Sequence, residues 1–135
     1  MNNGLSLRAS YCGVVLSLLA SCSGGFSATE ISTRNSGFFV GRVTDNAMQG
    51  AYNPEGFTAT QVQKLVSETC GQGPLTGFTT QSRSDGLVSF AATCSAWRDG
   101  ARAVEYERSG GSGVVVEITG VVSGSITYSR ISATI

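Results

Sequence analysis

The sequence predicts an α+β domain, with one amphipathic helix packed on a small antiparallel sheet of about four to five strands. Three observations lead there. Glycine, serine and threonine are abundant while charged residues make up only 13% of the 135 residues, a balance that suits loop-rich antiparallel sheet better than a helical bundle. A single clear segment carries a helical apolar stripe with a start and a stop signal. Several period-2 segments are separated by Asp-Gly or glycine-rich turns.

The first ordered element is the strand Gly37 to Thr44, in which Phe39 and Val43 share a face, and Asp45-Asn46 ends it. Ala51-Tyr52-Asn53-Pro54-Glu55-Gly56 reads as turn, because proline fixes its own φ and glycine admits positive values. The helix follows. Thr58 is placed to cap it and Gln61 stands three residues later, the spacing of a capping box. Val62, Leu65, Val66 and Thr69 form its apolar stripe, with Gln63, Lys64 and Ser67 turned outward. Gly71 sits where a left-handed terminator belongs and Pro74 forbids continuation, so Cys70 marks the helix C-terminus.

Beyond the helix, Leu75 to Gln81 and Leu87 to Cys94 flank a loop ending in Asp85-Gly86, a hairpin signal. Val88, Phe90, Ala92 and Cys94 share one face, which turns Cys94 toward whatever covers the sheet. A second hairpin is predicted around Ser109 to Gly113, joining Ala103 to Arg108 with Val114 to Thr119. Centring that loop on Gly111 sets Glu105 opposite Glu117, a like-charge pair that sheets avoid. Either the register shifts or Arg102 or Arg108 intervenes. A last strand, Ser125 to Ala133, follows the Val121-Val122-Ser123-Gly124 connection.

The N-terminal segment is different in kind. Met1 to Ser10 is polar with one positive side chain, Arg8, and Tyr11 to Ala20 is apolar apart from Ser17, the n-region and h-region of an export signal. The apolar run is shorter than the ~20 residues that a membrane-spanning helix needs. It ends in Leu19-Ala20-Ser21-Cys22, which resembles the lipobox of bacterial lipoproteins. That resemblance implies removal of residues 1–21 and lipidation of Cys22, whose acyl chains then anchor the protein in a membrane. The alternative is cleavage by the general signal peptidase, but a cut after Ala28 would place Phe26 where a small residue is wanted. Ser23 following the cysteine resembles a signal that permits outer-membrane sorting. The expected organisation is therefore a signal peptide over 1–21, a lipidated cysteine and flexible tether over 22–36, and one small domain over 37–135. The expected location is the bacterial envelope, in the outer membrane facing the periplasm.

Four cysteines divide accordingly. Cys12 lies in the signal and Cys22 takes the lipid, which leaves Cys70 and Cys94 as an even remainder in an exported chain. A Cys70–Cys94 disulfide is the default expectation, and the strand and helix patterns bring the two together as a staple between helix and sheet. A metal site and a reactive thiol are the competing readings. Two cysteines with no histidine make a poor zinc set, and a thiol nucleophile would lack an imidazole base.

Function is far less legible. Nine basic and nine acidic side chains balance, so no basic field exists to attract nucleic acid. The absence of histidine removes the commonest general base and metal ligand, no phosphate-loop or nucleophile-elbow motif occurs, and neither a cofactor nor a metal is expected. Two constellations stand out. Glu105 and Glu107 share a strand face at roughly 6.5–7 Å, within the range of paired carboxylates in glycoside hydrolysis, although a solvated face is the commoner cause. Trp97 and Arg98 place an aromatic plane beside a guanidinium on a loop, which can stack on a sugar or a partner; more often such a tryptophan closes the end of a core. We expect a non-enzymatic, lipid-anchored binding or structural module with an envelope protein or cell-wall partner. The alternative is a small envelope hydrolase or enzyme inhibitor built on Glu105, Glu107 or Trp97.

Overall fold

The computed structural model describes residues 32–71 and 73–135. The signal peptide, Cys22 and most of the expected tether lie outside the described residues. The described part of that tether is not free chain. Residues 32–34 are helical, and the Asn53 side-chain amide donates to the carbonyls of Thr33 (3.0 Å) and Asn35 (3.0 Å), with Ser32 O at 3.4 Å. The folded unit thus reaches back at least to Ser32 rather than starting at Gly37.

The chain forms β1 (Phe39–Thr44), β2 (Ala47–Tyr52), the helix α1 (Ala59–Thr69), β3 (Leu75–Ser82), β4 (Val88–Cys94), β5 (Ala101–Arg108), β6 (Gly113–Val122) and β7 (Ser125–Thr134). The seven strands make one sheet in the order β3-β4-β2-β1-β5-β6-β7, with every pairing antiparallel. The sheet is therefore larger than the four to five strands expected, and the protein is mostly β. The strand absent from the expectation is β2. Its Ala47, Gln49 and Gly50 are weak strand formers, so no local pattern marks it. Pairing with β1 and β4 makes it a strand nonetheless, through the two-residue Asp45-Asn46 loop in which Asp45 takes a φ of 52°. Gly50 fits because a Cβ there would lie 2.0 Å from Val40 O and 2.5 Å from the Phe90 ring.

Alternation along each strand divides the sheet into an inner face, covered by α1, and an outer face. Phe39 is the hub of the inner face. Its ring stacks on Tyr106 at 3.7 Å between centroids and meets Phe57 (5.3 Å) and Phe90 (5.5 Å) edge-on. Val62, Leu65 and Val66 of α1 are fully buried against this layer, as their stripe predicts. The expected capping box is present, with Thr58 Oγ1 accepting from Gln61 N and Gln61 Oε1 accepting from Thr58 N. Phe57 and Val62, both buried, occupy the positions of a hydrophobic staple.

The helix ends differently from the expectation. Gly71 does not adopt a left-handed conformation; Cys70 is already extended, with φ −58° and ψ 135°, and forms an antiparallel bridge with Trp97. The Gly71 N–H then donates to Ala96 O at 2.8 Å. Cys70 and Cys94 are joined, with Cα atoms 5.8 Å apart, so the expected staple between helix and sheet is in place.

Tyr106, like Tyr52, is a buried titratable side chain of the core cluster. Its hydroxyl lies 3.4 Å from Thr69 Oγ1 and donates to Met48 Sδ at 3.9 Å. Burial pushes its pKa well above the ordinary tyrosine value of ~10, with the Thr69 contact opposing and Glu68 adding to the shift. Between ~10 and that raised value the unfolded chain has lost a proton that the folded chain keeps. Stability is therefore fully present below pH ~10 and falls above it, by about 1.4 kcal/mol per pH unit. Urea midpoints measured across this range should show the loss, and Tyr106→Phe should remove it except for the share of Tyr52, whose pKa burial also raises.

Candidate functional site

The outer face carries the polar chemistry. Period-2 alternation turns Arg42 of β1, Gln49 of β2, Glu105 and Glu107 of β5, Glu117 of β6, and Tyr128 and Arg130 of β7 to this side. The twisted sheet curves there around a hollow of about 610 Å³ that Arg42, Gln49, Glu105, Glu117, Tyr128 and Arg130 help to line. At its floor, one row runs Val40, Glu105, Glu117, Arg130 across four adjacent strands.

Glu105 therefore does stand opposite Glu117, in the register that a loop centred on Gly111 implies. The cation that relieves the pair is neither Arg102 nor Arg108. Arg130 arrives from the next strand and sets Nε 3.4 Å from Glu117 Oε1, with Nη2 4.0 Å from Glu107 Oε2. These ion pairs are solvent-exposed, so they position side chains more than they stabilise the fold. Arg108 turns to the other face. Its guanidinium lies 4.9 Å from the Phe57 ring centroid and donates to the carbonyls of Gly111 and Gly56.

The carboxylate pair expected from the sequence is thus divided. Glu105 lines the hollow beside Glu117 and Arg42, whereas Glu107 does not line it and leans on Arg130. Next to the hollow the outer face becomes apolar, with Val121 directly opposite Ile126 and Tyr128 two pairs further along on the same face. Ile126 is 65% exposed and Tyr128 79% exposed. Sequence reasoning did not single out Arg130, Tyr128 or Ile126. Their alternation in Ser125 to Thr134 is visible, but their neighbours depend on strand order.

Trp97 and Arg98 lie elsewhere, in the loop between β4 and β5. Trp97 is half-buried against the core, and Arg98 donates to Glu68 O from Nε (3.4 Å) and Nη2 (3.3 Å), which satisfies a carbonyl at the end of α1. Both residues also border a second hollow, of about 750 Å³, against the inner-face residues Gly120, Thr127 and Ser129. Trp97 Nε1 is buried with no hydrogen-bond acceptor among the described residues. Leaving such a donor unpaired costs about 1–3 kcal/mol. Trp97→Phe should therefore leave stability unchanged or raise it, whereas Trp97→Ala, which empties the site, should cost about 2 kcal/mol or more in chemical denaturation.

No family model, curated protein or solved structure matches this chain. Its chemistry must be read from the site itself. Among the described residues no group of three or more cysteine, aspartate or glutamate side chains converges as a metal site requires, and no helix is long and apolar enough to cross a membrane. What the outer face offers is a broad surface of mixed charge that borders an exposed apolar and aromatic patch.

Proposed function

We propose that this chain is a lipid-anchored protein of the bacterial envelope, held by acyl chains on Cys22 in the outer membrane facing the periplasm, and that its domain is a binding module. The anchor rests on the lipobox-like Leu19-Ala20-Ser21-Cys22, and the joined Cys70 and Cys94 suit an oxidising compartment. The observation that carries the binding reading is the continuity of the outer hollow with Val121, Ile126 and Tyr128. Exposed apolar patches rimmed by polar groups are typical of interaction surfaces. Charges of both signs, paired across Arg130, Glu117 and Glu107, suit a protein surface better than a uniformly charged polymer.

A hydrolase built on Glu105 and Glu107 has less support, because only one of the two borders the hollow. Site-specific photocrosslinking in intact envelopes tests the binding reading. A photoreactive residue at Gln49, in the hollow, should give one recurring adduct, and the same residue at Gln63, on the exposed side of α1, should not. Equal labelling at both positions, or none at Gln49, would exclude the outer face as the binding surface.

A further inference from the structure

We propose that two copies of this chain associate edge to edge through β7, joining their sheets into one. This contact is additional to the binding surface proposed above, with which it shares Tyr128. β7 is a ten-residue edge strand, and no described residue pairs with its outer side. Sheet edges are ordinarily blunted by proline, charged side chains (lysine above all), a bulge or shortness, and β7 has only one charge to serve this way. Ser125 to Thr134 is long, contains no proline or lysine, and its register with β6 is unbroken from Gly113↔Thr134 to Val122↔Ser125. Its single charge, Arg130, is already occupied with Glu117 and Glu107. The opposite edge is different, because β3 carries an irregularity between Leu75 and Gly77.

The geometry of the last hairpin says which groups are free. A two-residue loop, Ser123-Gly124, with both residues at positive φ, closes on the hydrogen-bonded pair Val122 and Ser125. Odd-numbered residues of β7 therefore bond to β6. In agreement, the Val121 N–H turns away from β7 and donates to Gly100 O at 3.2 Å. Ile126, Tyr128, Arg130 and Ser132 direct their N–H and C=O groups to the free edge.

Two antiparallel copies of β7 must then oppose even residues with even ones. The two registers that overlap nearly the whole strand are centred on Ser129 and on Arg130. Centring on Arg130 sets two guanidinium groups face to face, which is unfavourable. Centring on Ser129 sets Tyr128 opposite Arg130 of the second copy, twice by symmetry, an aromatic and cation pair that also covers the most exposed ring of the outer face. Ile126 then faces Ser132 of the second copy, and on the other side Thr127 faces Ile131. The interface is self-complementary, as a two-fold contact must be.

The test uses the full chain expressed in bacterial envelopes. Ser129→Cys, at a non-hydrogen-bonded pair on the two-fold axis with Cα atoms ~4.5 Å apart, should give a disulfide-linked dimer on non-reducing gels, whereas Thr79→Cys on β3 should not. Sedimentation of the detergent-solubilised protein should show a monomer–dimer equilibrium, weakened about tenfold by Tyr128→Lys, which opposes like charges at an exposed position and leaves the monomer folded. A wild-type protein that sediments only as a monomer would overturn the proposal, as would Ser129→Cys linking no more than Thr79→Cys. Either result, with the Gln49 photoadduct retained, would leave the binding module standing.

Discussion

Replacing Phe39 with alanine should cost about 3–5 kcal/mol, the largest loss expected of any single side chain in this domain. The ring is 1% exposed, stacks on Tyr106 and meets Phe57 and Phe90 edge-on. Its removal forfeits the transfer energy of the ring and leaves a cavity between sheet and helix that neighbouring aromatic side chains cannot fill without leaving their rotamers. Small domains are stable by only 5–15 kcal/mol, so urea denaturation should show the variant near the edge of folding. Phe39→Leu, which keeps most of the volume, should lose appreciably less. Equal losses for the two variants would contradict the central place given to this ring.

Removing the Cys70–Cys94 bond should have the second largest effect. The bond closes a loop with a sequence separation of 24, which in the chain-entropy account stabilises the fold by about 3 kcal/mol. Thermal unfolding of the Cys70→Ala, Cys94→Ala double variant should fall by roughly 12–24 °C, on a scale of about 4–8 °C per kcal/mol for a domain of this size. The bond holds the end of α1 against β4 where the helix leaves through the Cys70–Trp97 bridge. The loss should therefore be accompanied by faster amide exchange at the last turn of α1 and in the Trp97 loop before the rest of the sheet exchanges. Uniform exchange throughout would mean that the bond does not act locally.

The contrast between what could and could not be read from the chain follows the range of the interactions involved. The capping box of Thr58 and Gln61 and the stripe of Val62, Leu65 and Val66 depend on neighbours in sequence and are as expected; the opposition of Glu105 and Glu117 follows from one hairpin loop centred on Gly111, but its relief by a cation other than Arg102 or Arg108 does not. Cys70 and Cys94 were paired by their number and by the alternation that turns Cys94 inward. By contrast, β2 owes its state to β1 and β4, and Gly50 in particular to the ring of Phe90. The helix stops at Cys70 as the sequence predicts, but Gly71 is not left-handed, because its real partner, the Trp97 loop, lies across the fold. Arg130 became the counterion of Glu117 only once β7 was placed beside β6. The candidate site, which spans β1, β2, β5, β6 and β7, needs the strand order before it exists at all.

The proposed lipid anchor on Cys22 would keep this domain tethered to a membrane. Mass spectrometry of the N-terminal peptide of the protein purified from bacterial envelopes tests it most directly. The first residue should be Cys22, carrying a diacylglyceryl thioether and an acylated amine. A mature chain that begins further along, or one that retains residues 1–21 with an unmodified Cys22 thiol, would contradict it.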